Sequence, residues 1–121
     1  MKIVSAVNAI ILNKDRITNV INGIDPGELF FEYDNKYKWS ITRSDNTVKL
    51  WLYPTNMSLE NLASMDSQEW QEFNQLIYYN AKDIGTIEAK ESFEELYRLI
   101  KEKEFGADII LDDIVASAGL T

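Results

Sequence analysis

The sequence predicts an α+β fold: one antiparallel sheet of about four strands, with helices packed mainly on one face. Between Glu28 and Tyr53, apolar and polar residues alternate with a period of two over three runs, and polar turns separate the runs. On either side of this block, apolar residues recur instead at three- and four-residue steps, the spacing of a helix face. A short apolar run within 75–80 supplies the fourth strand.

At the start of the chain, Ile3, Val4, Val7, Ile10 and Ile11 share one face of a helix predicted over Lys2–Leu12. A signal peptide would share the Lys2 charge and the apolar run. However, Ser5 and Asn8 interrupt that run and no A-x-A site follows, so a helix of the fold is expected. No stretch approaches the ~18 apolar residues of a membrane span. Ile17, Val20, Ile21 and Ile24 resume helical spacing and predict a second short helix, ended by Gly23 and the Asp25-Pro26-Gly27 turn.

In the sheet block, Leu29, Phe31 and Tyr33 oppose Glu28, Phe30 and Glu32. Tyr37, Trp39 and Ile41 oppose Lys36, Lys38, Ser40 and Thr42. If Asp34-Asn35-Lys36 is a three-residue loop, Tyr33 faces Tyr37, Phe31 faces Trp39 and Leu29 faces Ile41. Glu32 then meets Lys38 as a cross-strand ion pair. A two-residue turn would set Phe31 against Lys38, and such a slip flips a whole face, so the longer loop is expected.

The third run is apolar on both faces, with Val48, Leu50 and Leu52 on one and Trp51 and Tyr53 on the other. Two arrangements are open. Either Val48, Leu50 and Leu52 join the core and Trp51 and Tyr53 lie outward near Phe30 or Lys38, or a three-residue Ser44-Asp45-Asn46 loop turns Trp51 and Tyr53 inward. In each, one apolar set must be covered by a helix, by the fourth strand or by a partner.

Pro54-Thr55 closes this block. Ser58 caps a helix over Leu59–Ser64. Asp66 with Glu69 three residues on signals a turn of helix reaching Trp70 and Phe73. Leu76-Ile77-Tyr78-Tyr79 forms the strand within Gln75–Asn80. Thr86 caps the clearest helix, Ile87–Glu104, whose stripe is Ala89, Phe93, Leu96, Tyr97 and Ile100. Gly106 ends it, and a last helix over Ala107–Ala116 carries Ile110, Leu111, Ile114 and Val115 on one side.

With 121 residues the chain fits a single domain spanning 1–121. It contains no cysteine and no histidine, which removes disulfides, thiolate metal sites and every Ser-His or Cys-His nucleophile pair. Acids outnumber bases 20 to 12, a net charge of −8 that disfavours phosphate backbones. Lys36 and Lys38 also lie across the sheet from Tyr37 and Trp39, so cations and stacking rings do not share a groove as single-strand binding requires. No nucleic-acid or membrane partner is expected.

The acids Asp108, Asp112 and Asp113 lack the spacing of a calcium loop. Asp108 reads as a favourable first-turn acid and the other two as solvated. Glu88, Glu91, Glu95 and Glu102 line one side of the long helix, and Glu94 is placed to pair with Arg98. No phosphate loop or dinucleotide fingerprint is present. With 20 acids, a pair of carboxyls at glycosidase distance will occur by chance, so such a pair carries no weight. Neither cofactor nor metal is expected.

By elimination, the expected function is that of a small, acidic, cytoplasmic, non-catalytic protein that binds another, basic protein as an inhibitor, immunity-type protein or adaptor. The alternative is a small enzyme or ligand-binding domain with a carboxylate-lined pocket. The expected partner surface is Trp51 and Tyr53 with Phe30 and Lys38 beside them, because large aromatics are enriched at hot spots. The competing expectation is that a helix covers them. The oligomeric state is left open.

Overall fold

The computed structural model describes residues 1–119, with Ala107 and Asp108 described by their backbone alone. Its sheet has five antiparallel strands in the order β1-β2-β3-β4-β5: β1 Ile17–Asn22, β2 Leu29–Tyr33, β3 Tyr37–Ser44, β4 Thr47–Tyr53 and β5 Ile77–Asn80. The helices are α1 Lys2–Leu12, α2 Leu59–Ala63, α3 Ser67–Glu72, α4 Ala81–Ile84, α5 Ile87–Glu104 and α6 Ala107–Ser117, with a single 3-10 turn at Lys14–Arg16. The α+β class holds, and the sheet has one strand more than expected.

The additional strand is β1, at the place where helical spacing predicts a short helix. A bulge explains the false signal. Ile17 pairs with Tyr33 and Asn19 with Glu32, so one extra residue is inserted at Thr18. Ile17 and Val20, three residues apart, therefore pack into the same core, as they would on a helix. Four of the six residues in ITNVIN are β-branched, which favours the strand.

The hairpin registers follow the face matching. Phe31 pairs with Trp39, Leu29 with Ile41 and Tyr33 with Tyr37, across a loop in which Asp34 and Asn35 have φ of 60° and 54°. Glu32 is opposite Lys38, but the expected ion pair is not made. Lys38 Nζ instead donates to the Thr55 carbonyl at 3.5 Å. Between β3 and β4 the turn has two residues, Asp45 and Asn46, both left-handed, as in a type I′ hairpin. Ser40 thus faces Trp51 and Lys38 faces Tyr53, while Val48 and Leu50 turn to the other side.

Each face of the sheet carries its own core. The larger core packs α1 and α5 on the sheet through Val7, Ile10, Phe31, Ile41, Leu50, Phe93, Leu96 and Ile100. The smaller core packs α2 and the α3 region on the opposite face through Phe30, Tyr53, Leu59, Leu62 and Met65. Thus α1 and α5 share one face, with α4 beside them through Ala81 and Ile84, and α2 and α3 close the other.

The short helices begin at the predicted caps. Ser58 Oγ accepts from the Asn61 N–H at 3.1 Å, and Asp66 with Glu69 forms a complete capping box. Thr86 Oγ1 likewise accepts from the Ala89 N–H at 3.1 Å at the start of α5.

Candidate functional site

Three surfaces are candidates: the aromatic side of the sheet, the charged groove along α5, and α6.

On the aromatic side, Phe30 is 0% exposed and Tyr53 is 4% exposed. They stack at a centroid distance of 5.8 Å, and Trp70 and Phe73 close over them, with Trp70 5.6 Å from Tyr53. Neither offers surface to a partner while α2 and α3 stay in place. The expected partner surface is corrected at these two residues, because two short capped helices cover the second apolar face of β4. Trp51 and Lys38 keep part of their surface. Trp51 lies against Tyr78 of β5 at 5.1 Å, and Lys38 is held at the Thr55 carbonyl. The four residues adjoin one another on one side of the sheet, but they do not form an open patch.

This side also holds a pair of hydroxyls and a carboxyl. The Tyr53 hydroxyl and Ser40 Oγ share a hydrogen bond of 2.6 Å, and burial pushes the Tyr53 phenol up despite that bond. Glu28 folds over Gly23 against the Phe30 ring, where burial, helped by nearby Asp25, pushes its carboxyl up to about 7.

The groove along α5 has a volume of about 890 Å³ and brings Glu91, Glu94 and Glu95 near Arg43, Arg98 and Lys101. The expected Glu94–Arg98 pair is replaced. Arg43 of β3 takes Glu94 at 3.0 Å, and Arg98 reaches Glu95 and Glu102 within its own helix. Charges in this groove neutralise one another in solvent, an arrangement worth little energy and lacking an activated group. Among the described residues, no three acids converge as a metal site would require. Asp112 and Asp113 are exposed on α6, and the Asp108 side chain lies outside the described residues.

α6 is the third candidate. Gly106, left-handed at φ 66°, turns the chain out of α5. Every described side chain of α6 is exposed, including Ile109 at 69%, Leu111 at 57% and Ile114 at 58%. The stripe Ile110, Leu111, Ile114 and Val115 has the spacing of a helix face that packs, yet among the described residues it joins neither hydrophobic core. Helical periodicity marks this stripe in the sequence, but its openness is visible only once the core is seen to be complete without it. Among the described residues, no helix is long and apolar enough to cross a membrane. Comparison with known proteins finds no family model, no curated protein and no solved structure that matches this chain.

Proposed function

We propose that this is a non-catalytic protein-binding protein, acting as an inhibitor, immunity-type protein or adaptor in the cytoplasm, and that α6 is the segment that docks. The carrying observation is the exposed stripe of Ile110, Leu111, Ile114 and Val115. An isolated helix of this length is marginal in water, because helical stability in proteins comes mainly from packing an apolar face. Contiguous exposed apolar surface rimmed by polar groups is the usual mark of an interaction site. Asp112 and Asp113 flank the stripe and α6 carries no basic residue, so the surface it suits is apolar and rimmed by cations. The alternative, a ligand or substrate pocket built on carboxylates, finds less support, since Glu94 and Glu95 are ion-paired in an open groove along α5.

The test is quantitative affinity capture from native cells with three baits: the wild-type chain, Leu111→Gln/Ile114→Gln, and Trp51→Ala. The proposal expects the same captured protein with wild type and Trp51→Ala, and its loss with the α6 double variant. Retention by the double variant would refute α6 as the docking segment. Loss only with Trp51→Ala would return the contact to the sheet.

A further inference from the structure

We infer that β5, an edge strand of the sheet, pairs antiparallel with β5 of a second copy of this chain, joining two five-stranded sheets into one across a two-fold axis. This contact is separate from α6 and goes beyond the docking role proposed for that helix.

The edge of a sheet carries main-chain N–H and C=O groups with no strand to meet them, and proteins ordinarily guard it with a charge, a proline or a bulge. The two edges differ here. β1 has the bulge at Thr18, and its Asn19 side chain is tied to Glu60 of α2 at 3.3 Å. β5 pairs with β4 without a bulge, and no turn or loop bond engages its main chain. Its residues, Ile77, Tyr78, Tyr79 and Asn80, include neither a charge nor a proline. Ile77, opposite Leu52, is 43% exposed on the face of the larger core, and Tyr78, opposite Trp51, is 44% exposed on the other. Apolar surface therefore lies on both sides of an unguarded edge.

Charge and symmetry identify the occupant. Each copy carries a net charge of −8, so two copies repel wherever their acids meet. From Phe73 to Ala81 the chain has no charged residue, and two such edges meet without setting like charges opposite each other. A basic partner, which the net charge would otherwise attract, finds no acid on this strand to hold it. An antiparallel edge is also its own complement, because about a two-fold axis each outward N–H meets a C=O of the copy. α4 begins at Ala81 and stops the strand, which centres the match on Tyr78. Tyr78 then faces its own counterpart beside Trp51, which it already touches at 5.1 Å. Ile77 faces Tyr79 of the second copy, and Leu76 faces its Asn80, so each face of the sheet continues across the axis. The contact uses the same edge of both copies and closes at the dimer.

Sedimentation velocity and disulfide trapping test this together. At about 100 µM, well above a micromolar dissociation constant, wild type is expected at twice the monomer mass. Ile77→Lys, at an exposed position, adds the missing guard charge and is expected at the monomer mass, with circular dichroism checking that it folds. Leu111→Gln/Ile114→Gln is expected to remain a dimer. The chain has no cysteine, so a single introduced thiol reports one contact. Residues facing each other on antiparallel strands have Cα atoms roughly 4.5–5.5 Å apart, within the span of a disulfide. Under mild oxidation Tyr78→Cys is therefore expected to form a covalent dimer, and Asn22→Cys on the β1 edge is not. The trapping result stands even where Ile77→Lys fails to fold. A monomeric wild type overturns the inference, while α6-dependent capture of a foreign protein would still uphold the docking role of α6. Dimers that survive Ile77→Lys, or equal trapping at both cysteine positions, overturn it and show another interface. Dimers lost in the α6 variant overturn it and give self-association to that helix.

Discussion

Replacing Glu28 by Gln should stabilise the protein at alkaline pH and leave it unchanged in acid. Glu28 is half-buried against Gly23 and the Phe30 ring, and its carboxyl is pushed up to about 7 by burial and, second, by Asp25. Among the described residues, no cation pairs with it to offset the desolvation. A folded value above the unfolded one means that the native state holds the proton more tightly. The stability this proton contributes is fully present below 4.5 and is lost as pH rises through about 7.

At about 1.4 kcal/mol per pH unit, the interval from 4.5 to about 7 corresponds to ~3 kcal/mol for a sealed site. Solvent reaches part of this side chain, and screening reduces the effect to about 1–2 kcal/mol. Glutamine keeps the shape and never ionises. At pH 8 the variant should therefore melt roughly 4–8 °C above wild type, and at pH 4 the two should coincide. Thermal melts of both proteins between pH 4 and 8 measure the difference directly, since other titrations cancel. An offset that does not vary with pH, or a variant less stable at pH 8, would refute a buried, uncompensated carboxyl.

Trp39→Ala should cost about 3–5 kcal/mol in urea unfolding, because the indole is 6% exposed and stacks on Phe31 at 6.3 Å. A midpoint within error of wild type would contradict its place in the core. Gly23→Ala should destabilise by about 1–3 kcal/mol through overpacking. A Cβ there meets Glu28 Oε1 and the Phe30 ring at 2.8 Å each. Calorimetry showing an unchanged melting temperature would mean that this approach is not tight. Leu111→Gln/Ile114→Gln should shift monomer stability by less than about 0.5 kcal/mol, since neither side chain enters a core. A large loss under dilute, monomeric conditions would place α6 in the fold.

The parts of the fold that were legible in the sequence are those where a face had only one acceptable partner. Phe31 against Trp39 and Leu29 against Ile41 followed because a slipped register would have buried Lys38 among aromatics. β1 was illegible because its bulge at Thr18 puts residues three apart on one side, which a period count takes for a helix. The second face of β4 was visible as surplus apolar surface, but its cover was not. Leu59, Leu62, Trp70 and Phe73 lie in helices of five and six residues or at their ends, too short to show a stripe. Placing Phe30 and Tyr53 on an open patch failed for that reason.

α6 shows the opposite limit. Its stripe was plain in the sequence, because Ile110, Leu111, Ile114 and Val115 fall on one side of a helix. Periodicity tells which side of a helix seeks cover, not whether the chain supplies it. Here α1 and α5 cover one face of the sheet and α2 and α3 the other, and among the described residues no α6 side chain belongs to either core. On the proposed reading, a stripe of this kind that lies outside both cores is matched by a partner; left bare it is a standing cost in solubility. The acids that interrupt it lower that cost while α6 is free, and they also restrict the surfaces it can enter to those rimmed by cations.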